Sequence, residues 1–202
     1  MIKNVLFDVG KVLLSFDRDD TLAEYARYSE TVDEKDFSFG HVFLKDLWDQ
    51  METGSLSPRK YYEHFRELSG CRISFRHFLL IWTSHFVPTD EMIEFGRSLR
   101  GRYRIYFFSN TDPIHLPQLL YRFPATMFYD GLALSWQLGV RKPDPAFYTA
   151  GLEKHGLKAE ECLFVDDRPA NTQAARALGI ESVDFRRPSQ TISEMEAILA
   201  GN

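Results

Sequence analysis

MIKNVLFDVGKVLLSF, residues 1–16, decides how the chain is read, because an acidic side chain interrupts a run that is otherwise apolar. Val5, Leu6 and Phe7 have the character of a short buried strand. Asp8 follows at its carboxyl end, with Gly10 two residues on. Ligands of an open parallel sheet bind at the carboxyl ends of its strands, so a carboxylate there is placed for chemistry. Aspartate beside glycine also closes turns, and this residue alone does not choose between the two roles.

The composition sets limits on both readings. The chain has 202 residues, 44% hydrophobic and 26% charged, enough for one substantial core or one core plus a small inserted domain. A net charge of -5 argues against nucleic acid or an anionic membrane as the main partner, since both call for a basic face. No apolar run is long enough to span a bilayer, and the N-terminus lacks the pattern of a signal peptide. Cys71 and Cys162 show no metal-ligand spacing and read as reduced thiols, which gives a cytoplasmic location as the expectation.

Beyond Phe16 the pattern turns helical. Thr21 to Tyr28 and His41 to Met51 carry apolar residues at helical spacing. Ser57-Pro58 starts a third helix that Gly70 ends, and Ser74 to Phe86 is a fourth. The aromatics of this region, Trp48, Tyr62, Phe65, Phe78 and Trp82, read as the core of a small bundle. Its histidines, His41, His64, His77 and His85, support no metal site.

From Pro88 onward helices and strands alternate. Thr89 to Leu99 is helical, Arg104 to Phe108 a buried strand, and Met127 to Trp136 suggests short strands. Asp144 to His155 is a helix, Cys162 to Val165 a strand, Ala170 to Leu178 a helix and Ser182 to Phe185 a strand, with a last helix near Ile192 to Leu199. Alternation of this kind predicts an α/β fold with a Rossmann-like, doubly wound parallel sheet. Residues 1–16 and 88–202 are expected to form that core, with residues 17–87 a helical region inserted after the first strand.

Three predicted strands then end in polar residues at one sheet edge: Asp8, Ser109 with Asn110, and Asp166 with Asp167. Arg141-Lys142-Pro143 precedes a helix in the same half. A carboxylate can attack phosphorus, a hydroxyl and backbone amides can hold phosphate oxygens, a lysine can offset their charge, and further carboxylates can hold Mg²⁺. Each residue has a plainer role as well: Ser109 and Asn110 as helix caps, Lys142 as a solvated lysine, the acidic pair as helix-start charge. Adjacent acids at a buried strand end are costly to hold without a cation, and the joint arrangement favours phosphoryl transfer.

FDVGKV (residues 7–12), FSNT (108–111), GVRKPDPAFY (139–148) and FVDDRPANTQAARALGI (164–180) resemble, in that order, the motifs of the haloacid dehalogenase superfamily of hydrolases. The resemblance covers the whole chain. Within the superfamily the chain is most similar to small phosphatases acting on sugar phosphates, such as the bacterial α-D-glucose-1-phosphate phosphatases, whose cap ETGSLSPRKYYEHF (52–65) also resembles. It implies Asp8 as nucleophile and Mg²⁺ ligand, the Gly10 carbonyl and Asp167 as further ligands, and Asp166 and Asn171 beside them. Ser109 and the Asn110 amide would hold the phosphoryl group, with Lys142 bridging nucleophile and phosphate. The implied partner is a small phosphorylated metabolite, with no nucleic acid and no membrane.

The chain departs from that pattern at Gly10, where most phosphatases of the superfamily carry an aspartate that protonates the leaving group. Loss of a general acid costs about 10² to 10⁴ in rate. A substrate with a good leaving group, such as an anomeric sugar phosphate, would tolerate the glycine, and so would an acid from the start of the cap, Asp17, Asp19 or Asp20. Two other readings are a weak catalyst or non-catalytic binding protein of the same fold, and a dehalogenase, whose halide leaves unprotonated. The acidic pair disfavours the dehalogenase, and the retained nucleophile, lysine and acid disfavour the binder.

Overall fold

Four consecutive residues buried on every side form a strand only when both edges are paired, and Asn4–Phe7 (β1) is such a run. The structure, a computed structural model, describes residues 1–16, 18–42 and 45–201. After β1 come Leu14–Phe16 (β2), Arg18–Ala26 (α1), Phe39–Val42 (α2), Lys45–Glu52 (α3), Pro58–Ser69 (α4), Phe75–Ser84 (α5) and Phe86–Pro88 (β3). Asp90–Leu99 (α6), Arg104–Ser109 (β4), His115–Arg122 (α7), Gly131–Leu134 (β5), Ser135–Leu138 (α8) and Pro145–His155 (α9) follow. Cys162–Asp166 (β6), Pro169–Ala177 (α10), Glu181–Asp184 (β7) and Pro188–Ala200 (α11) complete the chain.

The main sheet has the order β5-β4-β1-β6-β7, and every neighbouring pair is parallel. This is the doubly wound sheet expected from the alternation. Its register puts Phe7 level with both Phe107 and Val165. The strand period of two then sorts side chains to opposite faces. Val5, Phe7, Ile105, Phe107, Leu163 and Val165 join one apolar cluster, covered by Met92 and Leu99 of α6 and Met195 of α11. Leu6, Tyr106, Phe108 and Phe164 join another, covered by Phe147, Tyr148 and Leu152 of α9 and Ala175 of α10. Because β4 and β5 are laid down on one side of β1 and β6 and β7 on the other, the winding reverses at β1, which opens a crevice at the carboxyl ends of the strands there.

Helices α1 to α5 build a third cluster around Phe78. The rings of Tyr25, Tyr61, Tyr62, Phe65, Phe75 and Trp82 lie 5.0–6.4 Å from that of Phe78. The buried tyrosine hydroxyls are all used: Tyr25 donates to the Phe78 carbonyl at 2.8 Å, Tyr61 to Val42 at 2.6 Å and Tyr62 to Ile73 at 2.5 Å. Aromatic mass with satisfied polar tips makes a core. Trp48 packs against this cluster, and with Trp82 it also lines the cavity described below.

The ends of α4 follow from its sequence. Ser57 accepts a hydrogen bond from the Lys60 amide, Pro58 takes the first position, and Gly70 closes the helix at φ 65°. β2 and β3 pair antiparallel, Phe16 opposite Phe86, where the chain leaves and rejoins the sheet. The stretch from His41 to Met51, expected as one helix, is described as the end of α2 and most of α3, with residues 43 and 44 outside the described residues. The short strands expected over Met127 to Trp136 reduce to β5, because Ser135 starts a single helical turn that Gly139 ends at φ 72°.

Candidate active site

At the carboxyl end of β1, the Asp8 amide donates to the Val165 carbonyl of β6 at 2.9 Å. Its carboxylate lies 2.9 Å from the Lys142 ammonium. That ammonium is 1% exposed and also donates to Asp166 at 2.6 Å and to the Phe108 carbonyl at 2.7 Å. Three donors thus meet three acceptors, one from each of the strand ends of β1, β4 and β6. A lysine expected to be solvated if it had no function is instead the centre of the buried edge.

Asn110 grips the main chain of Lys142 from both sides. Its side-chain amide donates to the Lys142 carbonyl at 2.9 Å, and its oxygen accepts from the Lys142 amide at 2.8 Å. The side chain of Asn110 therefore does not cap α7, and neither does that of Ser109. Asp112 takes that role, accepting from the amides of Ile114 at 2.7 Å and His115 at 2.9 Å. The Ser109 hydroxyl, buried at the end of β4, has a contact to the Asn110 carbonyl at 3.5 Å, the outer limit of a hydrogen bond.

Carboxylate oxygens of Asp8, Asp166 and Asp167 lie within 4.8 Å of one another. Burial pushes Asp8 up to about 7; Lys142 opposes this, while Asp166 and Asp167 add to it. Asp167 is raised as well, by burial and by Asp166, with Lys11, Lys142 and Arg168 acting to lower it. Asp166 keeps one oxygen on Lys142 and with the other accepts from the Arg168 amide at 2.9 Å and from Asn171 at 2.8 Å. The second polar atom of Asn171, Oδ1, is buried and has no hydrogen-bond partner among the described residues. Crowded carboxylates with one buried ammonium between them, and a spare oxygen beside them, form a set of hard donors. Such a set fits a divalent cation of the Mg²⁺ type.

These groups line a cavity of about 560 Å³, within the range of small-molecule sites. Asp8, Gly10, Ser109, Asn110, Lys142, Asp167 and Asn171 line it from the sheet edge, and Asp166 lies beneath, fully buried. Trp48, Asp49 and Glu52 of α3 and Trp82 of α5 line it from the helical insert. Of the acids considered for the start of the cap, Asp19 and Asp20 are exposed and neither lines the cavity; Asp17 lies outside the described residues.

Several lining residues were given no role at the site from the sequence. Arg141, next to Lys142, pairs with Asp49 and lies 3.2 Å from Glu52. His115 has an acceptor at each ring nitrogen, Asp112 at 2.6 Å and the Trp82 carbonyl at 3.0 Å, so the imidazolium satisfies both. Burial works against that charge but Asp112 outweighs it, and His115 is raised above its usual value. The Trp82 indole donates to Asp112 at 3.2 Å, which ties α5 to the start of α7. ETG and RKP in the sequence mark the neighbourhood of Glu52 and Arg141, but their pairing is a tertiary contact.

The sequence matches the profile of the haloacid dehalogenase-like hydrolases over residues 2–179. The chain belongs to that family. Among its relatives is a D-ribitol-5-phosphate phosphatase of Bacteroides thetaiotaomicron, 26% identical over 98% of this chain and 99% of that protein. Another is the sesquiterpene phosphatase astK of Aspergillus oryzae, 27% identical over 98% of this chain and 96% of that one. A haloacid dehalogenase family enzyme of Bacteroides thetaiotaomicron, solved in complex with magnesium and inorganic phosphate, superposes with a TM-score of 0.79 at 26% identity, covering 92% of this chain and 95% of that one. Among the described residues no helix is long and apolar enough to cross a membrane.

Proposed function

We propose that the chain is a Mg²⁺-dependent phosphatase that hydrolyses a small phosphomonoester of a sugar or polyol, with residues 17–87 as its cap. The observation that carries this reading is the convergence of Asp8, Lys142, Asp166 and Asp167 at the ends of three neighbouring strands. A family of hydrolases, two relatives named as phosphatases and a structural neighbour holding magnesium and phosphate support it.

Asp8, the Gly10 carbonyl and Asp167 are the groups that would hold Mg²⁺, which when bound offsets charge on the phosphoryl oxygens. The Asp8 carboxylate attacks phosphorus; a bond from its oxygen to phosphorus forms as the bond to the alcohol oxygen breaks, leaving an aspartyl-phosphate. Lys142 favours the ionised form of Asp8 against burial and holds it in position, and its charge also opposes that of the phosphoryl group. Ser109 and the Asn110 amide hold phosphoryl oxygens. Water then cleaves the phosphorus–oxygen bond to Asp8, releasing phosphate and restoring the carboxylate. With no acid at Gly10 the leaving alcohol departs with little help, which suits an anomeric sugar phosphate.

Phosphate release from a panel of sugar phosphates, polyol phosphates, nucleotides and p-nitrophenyl phosphate, with Mg²⁺ and with EDTA, tests the reading. Release that requires Mg²⁺ and is abolished by Asp8→Asn is the expected result. Unchanged turnover in that variant would sink the assignment of the nucleophile. No release from any substrate by a folded protein that binds Mg²⁺ would make the chain a binding protein.

A further inference from the structure

Glu52 is the last residue of α3, 7% exposed, and it lines the cavity that holds Asp8 and Lys142. Carboxylates are almost never buried without partners. Arg141 forms an ion pair with its Oε2 at 3.2 Å and the Trp48 side chain hydrogen-bonds to the carboxyl, yet among the described residues Oε2 itself receives no hydrogen bond. Arg141 is itself shared, since it also pairs with Asp49 one turn earlier on α3. A buried oxygen lining a ligand-sized cavity, balanced in charge but without a hydrogen bond, is an acceptor kept for something that enters.

We propose that Glu52 is a specificity-determining residue that accepts a hydrogen bond from a hydroxyl of the substrate's alcohol portion, selecting sugar and polyol phosphates over phosphates of apolar alcohols. The inference rests on the phosphatase reading and adds to it the residue that selects the substrate class. The surrounding surface suits that class. Trp48 and Trp82 add apolar surface to the cavity lining, while Glu52 takes a hydroxyl. A hydrocarbon chain in the same space would shut Glu52 and Arg141 away from water and leave the orphan oxygen unmet, so the site rejects it. Arg141 keeps its pair with Asp49 while the hydroxyl is bound. Burial raises the Glu52 carboxyl, and Arg141 and the Trp48 side chain act against that rise. Asp112 and His115 act on it more weakly and in opposite directions.

The test compares wild type, Glu52→Gln and Glu52→Ala on D-ribitol 5-phosphate, α-D-glucose 1-phosphate, farnesyl phosphate and p-nitrophenyl phosphate. The expected result for Glu52→Ala is a fall of about 10- to 100-fold in the ratio of kcat/KM for polyol or sugar phosphate to that for farnesyl phosphate. The fall lies in KM, with Glu52→Gln intermediate. Equal loss on all four substrates, or a loss confined to kcat, would overturn the assignment. Dissociation constants for D-ribitol 5-phosphate, measured in an Asp8→Asn background with and without Glu52→Ala, give the same answer without turnover. A weakening of about tenfold or more is expected, and equal constants would refute the hydroxyl contact. If wild type hydrolyses nothing, the phosphatase reading fails by itself and the binding constants still judge Glu52.

Discussion

Gly10→Asp should turn a limited catalyst into a broader one. A Cβ at Gly10 would meet only Phe16 Cε1, at 3.5 Å, an ordinary contact. Gly10 is not in the left-handed region, unlike its neighbour Lys11, so the backbone admits a side chain at residue 10 without strain. The new carboxyl would line the cavity two residues from Asp8, where three carboxylates already crowd. Like charge raises the pKa of the newcomer and favours its protonated form, which an acid needs. Protonation of the leaving oxygen is worth about 10² to 10⁴ in rate, or about 3–5 kcal/mol of barrier. The assay is kcat/KM over a series of phosphomonoesters ranked by the acidity of their alcohols. D-Ribitol 5-phosphate, with a poor leaving group, should gain most and p-nitrophenyl phosphate little, so the dependence on leaving group flattens. The rate on alkyl phosphates should also acquire a decline at high pH as the new acid ionises. A folded variant that binds Mg²⁺ yet gains nothing on alkyl phosphates would show that the missing proton at Gly10 does not limit the reaction.

Three other perturbations test the packing and the charges. Lys142→Met leaves Asp8 and Asp166 buried without their cation, a loss of about 3–5 kcal/mol. For a chain of this size that is roughly 6–20 °C in Tm without metal, and a thermal melt within about 2 °C of wild type would contradict it. Phe78→Ala removes the ring around which the insert packs and should lower stability by about 3–5 kcal/mol in urea unfolding. His115 is raised in the folded state above 6.5, so its contribution is fully present below pH 6.5 and is lost as pH rises through the folded value. Asp112 is lowered below 3.8, and its contribution is present above 3.8 and lost as pH falls through its folded value. The stability gap between wild type and His115→Asn should therefore be widest between about pH 4 and 6.5 and shrink above; a gap that stays flat to pH 9 would refute the pairing.

The central strands were legible because apolar runs such as Val5–Phe7 and Cys162–Val165 are buried on both faces and bounded by polar residues. Asp8, Ser109 and Asp166 could be placed together because parallel strands bring their carboxyl ends to one edge. α4 was legible from Ser57, Pro58 and Gly70, whose local chemistry sets the helix limits whatever surrounds it. β2 and β3 were not, because three residues carry no period and the partners lie 72 positions apart, as between Ser15 and Val87. The cavity wall formed by the insert stayed hidden for a related reason. Glu52 and Arg141 sit in recognised motifs, but their pairing exists only once α3 docks beside the loop that carries Lys142.

Arg141 and Lys142 are adjacent in the chain but serve opposite walls of the cavity, one tied to α3 and the other to Asp8. A pull on the first would ordinarily reach the second along a single peptide unit. The two hydrogen bonds from Asn110 to the Lys142 backbone act as a cable clamp between them. Arg141 is thereby anchored to the helical wall by its side chain, while Lys142 is held at the sheet edge by its backbone as well as its side chain. Asn110 in this way fixes the junction between the two walls, so that one short loop serves both.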